Sequence, residues 1–551
     1  MLFSFSECSS KVITDENGVM AETDQEKAEM FVTHLEKTHQ LSDYSGFNGE
    51  WREMVEKHVS DRPYTFTVDK NMSYEESEYG DDDDTQVQIS RDDVKNQLLR
   101  CKNKSAPGED GINYLLLKKV PNNILKLINV LFQSAYKIGY FPDQWKSANI
   151  KMIPKPGKDE RIVKNFRPIS LLPCLGKVFE RIIAYRLSSF MEKRNLFSKY
   201  QAGYRKGRMT TEHILRLSEE TCSSFKKKQV SMSLFLDAEA AFDKAWHDAI
   251  KYKLHHIYKL PHRLVRLVSL FLTGRRLTVT VGKNKSRKIT MKAGTPQGSA
   301  LSPLLYLILV NDVPDSIEKY CSFSQFADDM GMWTQGYTFN GTRQKLQKAV
   351  NELESWCRKW RIKLNGSKSQ LMVTSKLKEK PQDDMDIQLF NDTVKPGKDS
   401  KFLGVTYDEN FAMKDHVDIT IQKSMKRLGV FKLLSFGGVS NDVLIKLFKT
   451  FVRPLFEYGS ISFVHIPKQV QRLQKIQNIF IRTSLKVPSY LSTTLIHQAA
   501  GLEKVDERLQ KLNKGLLGKM TKSELISALK IDHESIVPLN NYKSPFDILI
   551  D

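Results

Sequence analysis

The sequence predicts a mixed α/β protein, and three stretches carry that prediction. Phe323–Trp333 (F-S-Q-F-A-D-D-M-G-M-W) sets apolar residues on both sides of an Asp-Asp pair, the pattern of a β-hairpin with Asp328 and Asp329 at its tip. Val230–Phe242 (V-S-M-S-L-F-L-D-A-E-A-A-F) opens as an alternating strand, with Met232, Leu234 and Leu236 on one face, and delivers Asp237 at its C-terminal end. Between them Ala293–Pro303 (A-G-T-P-Q-G-S-A-L-S-P) makes a Gly-Pro-Gly turn that opens onto an apolar helix from about Leu301 to Val310. Two carboxylates at one turn raise one another's pKa unless a cation sits between them, so a divalent metal is the natural resident.

A further helix follows the hairpin, because Leu346, Val350, Leu353, Trp356, Cys357 and Trp360 recur at helical spacing and Asn365-Gly366 supplies a C-terminal stop. Strand Gln370–Thr374 closes the unit. This is the split β-α-β-β-α-β order of ferredoxin-like sheets, with every acid at a strand end on one edge. D-A-E-A-A-F-D, G-T-P-Q-G-S-A-L-S-P and F-A-D-D, in this order and spacing, resemble the A, B and C motifs of a reverse transcriptase palm. The flanking sequence resembles the non-LTR, LINE-type branch over about residues 95 to 480. The resemblance implies a right-hand polymerase of the α+β class with fingers, palm and helical thumb. It places an acidic N-terminal extension at 1–94, fingers at 95–230, the palm at 231–410 (core about 135–410), the thumb at 411–500 and a C-terminal tail at 501–551.

Composition agrees with several cores and with a nucleic-acid partner. The chain has 551 residues, 40% of them apolar, enough for more than one domain. Residues 1–94 hold 8 Lys/Arg against 23 Asp/Glu, and the remainder 77 against 41, so an acidic N-terminal region precedes a body of net +36. Such a body attracts phosphate backbones through counterion release. No basic amphipathic helix dominates, which sets anionic membrane aside. No apolar run approaches the roughly 18 residues of a membrane span, and M-L-F-S-F-S-E lacks the basic start of a secretory signal, so a soluble intracellular protein is expected. Nuclear action is implied by the family alone. Six scattered cysteines with no C-x-x-C read as buried thiols, with neither disulfides nor structural zinc.

Along the chain, Glu26–His39 reads as one amphipathic helix and the acidic run Glu75–Asp84 as a solvated linker. The resemblance implies an endonuclease upstream of such a segment, for which 94 residues are too few, so the expectations are a 5′-truncated copy, a late start, or a family-specific disordered extension. S-A-P-G-E-D-G from Ser105, the strand running into P-K-P-G-K, and N-F-R-P-I-S-L-L at Asn165–Leu172 resemble the fingers entrance. A hairpin carrying Lys155 and Arg167 suits a triphosphate, Arg through bidentate contact. Cys174–Leu187 is a basic amphipathic helix. Phe197–Arg208 (F-S-K-Y-Q-A-G-Y-R-K-G-R) then interleaves Tyr200 and Tyr204 with Arg205 and Lys206, so that rings stack on bases while cations follow the backbone. The family has a Q-x-G-F/Y-R motif here.

Attack of a primer 3′-oxygen on an α-phosphorus needs positioning and charge neutralisation, which two Mg2+ ions supply, with Mn2+ as a substitute. Hard cations want carboxylate oxygens, and Asp237, Asp328 and Asp329 provide them. Asp329 is the weakest of the three, since successive strand residues face opposite ways. The resemblance further implies that Phe242 selects dNTPs by crowding a 2′-hydroxyl. It makes Gln297 a contact of the incoming nucleotide and template, and Lys368 the motif D lysine that protonates pyrophosphate. Ala240 departs from the family, which has a basic residue there. Phe402–Asp408 (F-L-G-V-T-Y-D) resembles the primer-gripping strand pair. Residues 411–530 are helical by pattern and 461–520 hold 10 Lys/Arg against 3 Asp/Glu, while R-P-L-F-E-Y-G (Arg453–Gly459) and the run Leu473–Arg482 resemble the thumb helices of LINE-type proteins, which implies a thumb that holds the hybrid. The final 50 residues carry neither a Cys-His knuckle nor room for RNase H. The expected partners are an RNA template, a DNA primer and dNTPs. The competing readings are a domesticated or inactive RNA-binding protein with this fold, and an intron-maturase-type enzyme.

Overall fold

A computed structural model describes residues 11–41, 46–61, 88–378, 384–520, 523–535 and 542–550. The acidic run Glu75–Asp84 lies outside them. The chain divides into two compact units. The first is Met1–Ser198, Glu239–Asp312 and Trp356–Lys363, and the second is Lys199–Ala238, Val313–Ser355 and Leu364–Asp551.

The first unit is built on a five-stranded sheet. Strand Ser147–Pro154 pairs antiparallel with Phe166–Leu171 and parallel with Arg276–Val281, which also pairs with the short strands Asn284–Lys285 and Ile289–Thr290. Helix Asp24–Thr38 covers this sheet. It begins at a capping box in which Thr23 and Glu26 satisfy each other's backbone N–H groups. Its apolar stripe of Ala28, Phe31, Val32 and Leu35 is buried with Ile150, Phe166, Leu277 and Val279, and the Phe31 ring meets Phe166 edge-on at 5.0 Å. The N-terminal region thus supplies part of this core. The loop tip at Gly282 turns with a φ of 55°, and a Cβ there would collide with the Asp24 carboxylate.

The second unit holds the sheet expected from the motif order. Its strands, in chain order, are Val230–Leu236, Ser322–Phe326, Asp329–Gly336 and Gln370–Thr374, and they lie in the order fourth, first, third, second, every neighbour antiparallel. That is the split β-α-β-β-α-β arrangement. Val230–Leu236 is buried at every position rather than on one face, as a central strand must be when both faces are covered. One covering residue is Phe402, whose ring stacks on Phe235 at 4.8 Å. A Cβ added at Gly331 would lie 2.9 Å from that ring, so the glycine after the acids is there to admit Phe402. Helix Phe339–Trp360 contains the apolar repeat read from sequence.

Phe402 belongs to the hairpin Asp399–Phe402/Val405–Asp408. Beyond it, helices Lys414–Phe436 and Pro467–Leu485 pack together, with Phe431 edge-on to Phe480 at 4.9 Å. The C-terminal residues return to helix Thr210–Lys226. Glu219 accepts from the Phe546 amide at 3.0 Å and contacts His533 Nδ1 at 2.9 Å, while Lys226 pairs with Asp547 at 2.8 Å. The five cysteines within the described residues are buried thiols that form no disulfide.

The N-terminal helix yields a direct test. Phe31→Ala removes a fully buried ring, which costs about 3–5 kcal/mol. A clearly lowered unfolding midpoint in a urea titration is expected, and an unchanged midpoint contradicts the packing.

Candidate active site

Asp237 follows directly on strand Val230–Leu236. Met330 pairs with Leu236, so the ladder between these strands brings the Asp329 end of one to the Asp237 end of the other. The hairpin turns in two residues, because Asp329 pairs with Phe326 and leaves Ala327 and Asp328 as the loop. Ala327 takes a φ of 60°, positive at the first loop position, as twist-compatible hairpin turns require. Asp328 is therefore a turn residue and Asp329 the first strand residue, which escapes the strict alternation that made Asp329 look weak.

The charge of Asp237 reaches both hairpin carboxylates. Partial burial and then the charge of Asp237 raise the Asp328 pKa above the usual carboxylate range. Asp329 is raised by burial, by Asp328 and by Asp237, and the Lys401 ammonium opposes this. The amide of Asn365 donates to the Asp237 carbonyl at 2.8 Å. From the same turn, Lys368 Nζ lies 3.4 Å from Asp237 Oδ2, with both side chains open to solvent. Among the described residues no three His, Cys, Asp or Glu side chains close around a point as a finished metal site. The donor chemistry nonetheless fits a hard cation: all oxygen, with three carboxylates against the two nearby ammonium groups of Lys368 and Lys401.

Of the aromatic-basic run, Tyr204 is exposed and its hydroxyl pKa is raised by partial burial and by the charge of Asp328, which sets it within electrostatic reach of the hairpin tip. Lys206 is also exposed. Tyr200 is half-buried. Its hydroxyl donates to Glu318 at 3.1 Å, and burial together with that carboxylate pushes its pKa to about 12. Arg205 Nη1 donates to the Gln201 carbonyl at 3.0 Å.

The other expected contacts lie in the first unit. Lys155 follows strand Ser147–Pro154, and its ammonium donates to the Lys164 carbonyl at 2.8 Å. Arg167 stands exposed between buried Phe166 and Pro168. The Phe242 ring packs on Tyr306 at 4.7 Å, and its carbonyl accepts from the Thr295 amide at 2.8 Å. Gln297 Nε2 donates to Asp243 Oδ1 at 2.8 Å, while the Gln297 carbonyl accepts from the Ser170 amide at 2.8 Å. Phe242 and Gln297 are thus tied together through the residues beside them, whereas Lys155 and Arg167 occupy the opposite end of the hairpin from Ser170.

Sequence reasoning missed two supports. Glu180, fully buried in helix Cys174–Lys193, accepts from Ser299 Oγ at 2.6 Å and the Ala300 amide at 2.9 Å, which anchors the turn carrying Gln297. A lone Glu inside an apolar helix face was the available signal. Gln201 does the same for the Asp-Asp hairpin, accepting from the Ala327 amide at 3.0 Å, and the Q-x-G motif at 201–203 was its mark.

An antiparallel sheet in this strand order with acids gathered at one edge is the palm of a right-hand nucleic-acid polymerase. Residues 153–407 match the reverse transcriptase (RNA-dependent DNA polymerase) family. The chain is 30% identical over 513 residues to the probable RNA-directed DNA polymerase from transposon X-element of Drosophila melanogaster, covering 92% of this chain and 54% of that protein. It is 27% identical over 434 residues to the RNA-directed DNA polymerase from mobile element jockey of the same fly, covering 77% and 47%. An apo telomerase structure from Candida tropicalis aligns with 74% of this chain and 74% of its own at 14% identity, with a TM-score of 0.37. Residues 153–407 thus carry a reverse transcriptase domain, and the chain is similar to polymerases of non-LTR retrotransposons. It spans about half the length of the curated relatives it matches. Among the described residues no helix is long and apolar enough to cross a membrane.

Folding raises the pKa of Asp328 and Asp329, so these groups cost stability when ionised. That cost is absent well below the unfolded carboxyl pKa of about 4 and complete at neutral pH. Asp328→Asn is therefore expected to raise the melting temperature at pH 7 in the absence of divalent cations, and to raise it less as the pH falls below about 4. A melting temperature lowered at pH 7 contradicts this.

Proposed function

We propose that the chain is an RNA-directed DNA polymerase of a LINE-type element, adding dNTPs to a primer 3′-hydroxyl on an RNA template. The observation that carries this reading is the gathering of Asp237, Asp328 and Asp329 at one sheet edge, with a negative charge that Lys368 and Lys401 offset only in part. Two Mg2+ ions held by these carboxylates, with Mn2+ as a substitute, would neutralise the triphosphate and activate the attacking hydroxyl. The protein's own contribution is placement. The hairpin and the neighbouring strand fix three carboxylates within each other's field, so that binding and charge relief are the same event.

Lys368 holds an ammonium 3.4 Å from Asp237. There it offsets part of the carboxylate charge, and it carries a proton available to a departing pyrophosphate. Lys155 and Arg167 supply cations for the triphosphate. Gln297, its amide oriented by Asp243, offers its carbonyl oxygen and backbone to a nucleotide. Phe242, fixed against Tyr306, is a rigid ring suited to meet a sugar and refuse a 2′-hydroxyl. Tyr204, Arg205 and Lys206 serve the template strand by stacking and charge. Tyr200, with its hydroxyl engaged by Glu318, acts there by holding the run in place.

The test is dNTP incorporation on primed poly(A) RNA with Mg2+. The parent chain extends the primer and Asp328→Ala does not. A folded parent that binds primed RNA yet extends nothing with Mg2+ or Mn2+ overturns the polymerase reading in favour of an RNA-binding protein. In the same assay Phe242→Ala admits rNTPs that the parent refuses. Unchanged discrimination removes Phe242 from the sugar.

A further inference from the structure

Gln201 is uncharged and fully buried, and it sits against the turn that presents Asp328. Its side-chain oxygen accepts two backbone N–H groups, Gly203 at 2.7 Å and Ala327 at 3.0 Å. Ala327 holds the left-handed φ of 60° that a two-residue hairpin normally assigns to glycine. An alanine remains there only when its surroundings over-determine it.

Those surroundings are specific. The segment around Gln201 runs beside strand Ser322–Phe326: the Gln325 amide donates to the Tyr200 carbonyl at 3.0 Å, and the Ala202 amide donates to the Gln325 carbonyl at 2.9 Å. Gly203 approaches the turn so closely that a Cβ on it would lie 2.4 Å from the Ala327 nitrogen. Only a glycine at 203 lets the Gln201 amide reach Ala327. The acceptor is also neutral. A carboxylate in its place would set a fourth negative charge beside Asp237, Asp328 and Asp329.

We propose that Gln201 is a positioning residue for the metal site. By holding the Ala327 amide it fixes the left-handed turn, and through the turn the direction in which Asp328 presents its carboxylate. The inference rests on the reading of Asp328 as a metal ligand.

The test compares the parent, Gln201→Ala and the double variant Gln201→Ala/Ala327→Gly. Glycine adopts the positive φ without support, so the second substitution replaces the lost strut. Four quantities are read: kcat and KM for dNTP, Kd for primed RNA, and Mn2+ affinity by electron paramagnetic resonance. Gln201→Ala is expected to lower kcat and Mn2+ affinity by about 10–100-fold, as loss of an outer partner of a metal ligand does. The primed-RNA Kd stays unchanged, and Ala327→Gly restores most of both losses. The proposal is overturned if Gln201→Ala keeps parental kcat and Mn2+ affinity, or if its losses are no smaller in the double variant. A parent that binds Mn2+ but extends nothing overturns the polymerase reading alone, because the Mn2+ comparison still decides the part played by Gln201.

Discussion

Three carboxylates at one edge of one sheet set the terms for the rest of the second unit. Like charges at short range resist being held together, and the raised pKa values of Asp328 and Asp329 record that resistance. A fold keeps such an arrangement only by fixing the backbone independently of the side chains. The strand order does so here: Val230–Leu236 lies at the centre of the sheet, paired on both sides, and the hairpin lies beside it. Phe402 seated on Gly331 locks the register from one face, and the bond from Ala327 to Gln201 locks the turn. On the proposed reading, the stability lost there holds charge where a cation binds, a common cost of a functional site.

The first unit solves a different problem, that of holding two irregular loops still. Phe242 and Gln297 lie in turns, where regular hydrogen bonding cannot fix them. Side chains and isolated backbone bonds do so instead: Thr295 to the Phe242 carbonyl, Gln297 to Asp243, and Ser299 and Ala300 to buried Glu180. The His39 carbonyl, at the end of the N-terminal helix, accepts the amides of Lys292 and Ala293. The same helix that completes the sheet core thereby also steadies the approach to Gln297.

Much of this was legible in the sequence because it depends on local periodicity. The Asp-Asp pair between apolar runs gave the hairpin, the heptad-like repeat gave helix Phe339–Trp360, and the spacing of the three motifs gave the sheet. What escaped has one cause, which is pairing between residues far apart in the chain. Nothing local announces that Gly331 faces Phe402, that Gln201 reaches Ala327, or that Glu180 is paired with Ser299. The N-terminal helix was visible by its period, but its acidic surroundings read as an extension to the basic body. Its apolar face, not its charge, determined where it went. Tyr200 and Tyr204 look alike in sequence and differ in place, because Glu318 and the Phe323 ring hold only the first.

On the proposed function, the charge that strains the hairpin is relieved by a divalent cation. The measurement that tests this most directly is the melting temperature of the parent chain at pH 7 as Mg2+ is raised, beside that of Asp328→Asn/Asp329→Asn. A rise with Mg2+ is expected in the parent, following the mass action of a ligand bound only by the folded state, and almost none in the variant, whose metal-free melting temperature already lies above the parent's. Equal responses to Mg2+ in the two proteins, or none in the parent, would contradict it.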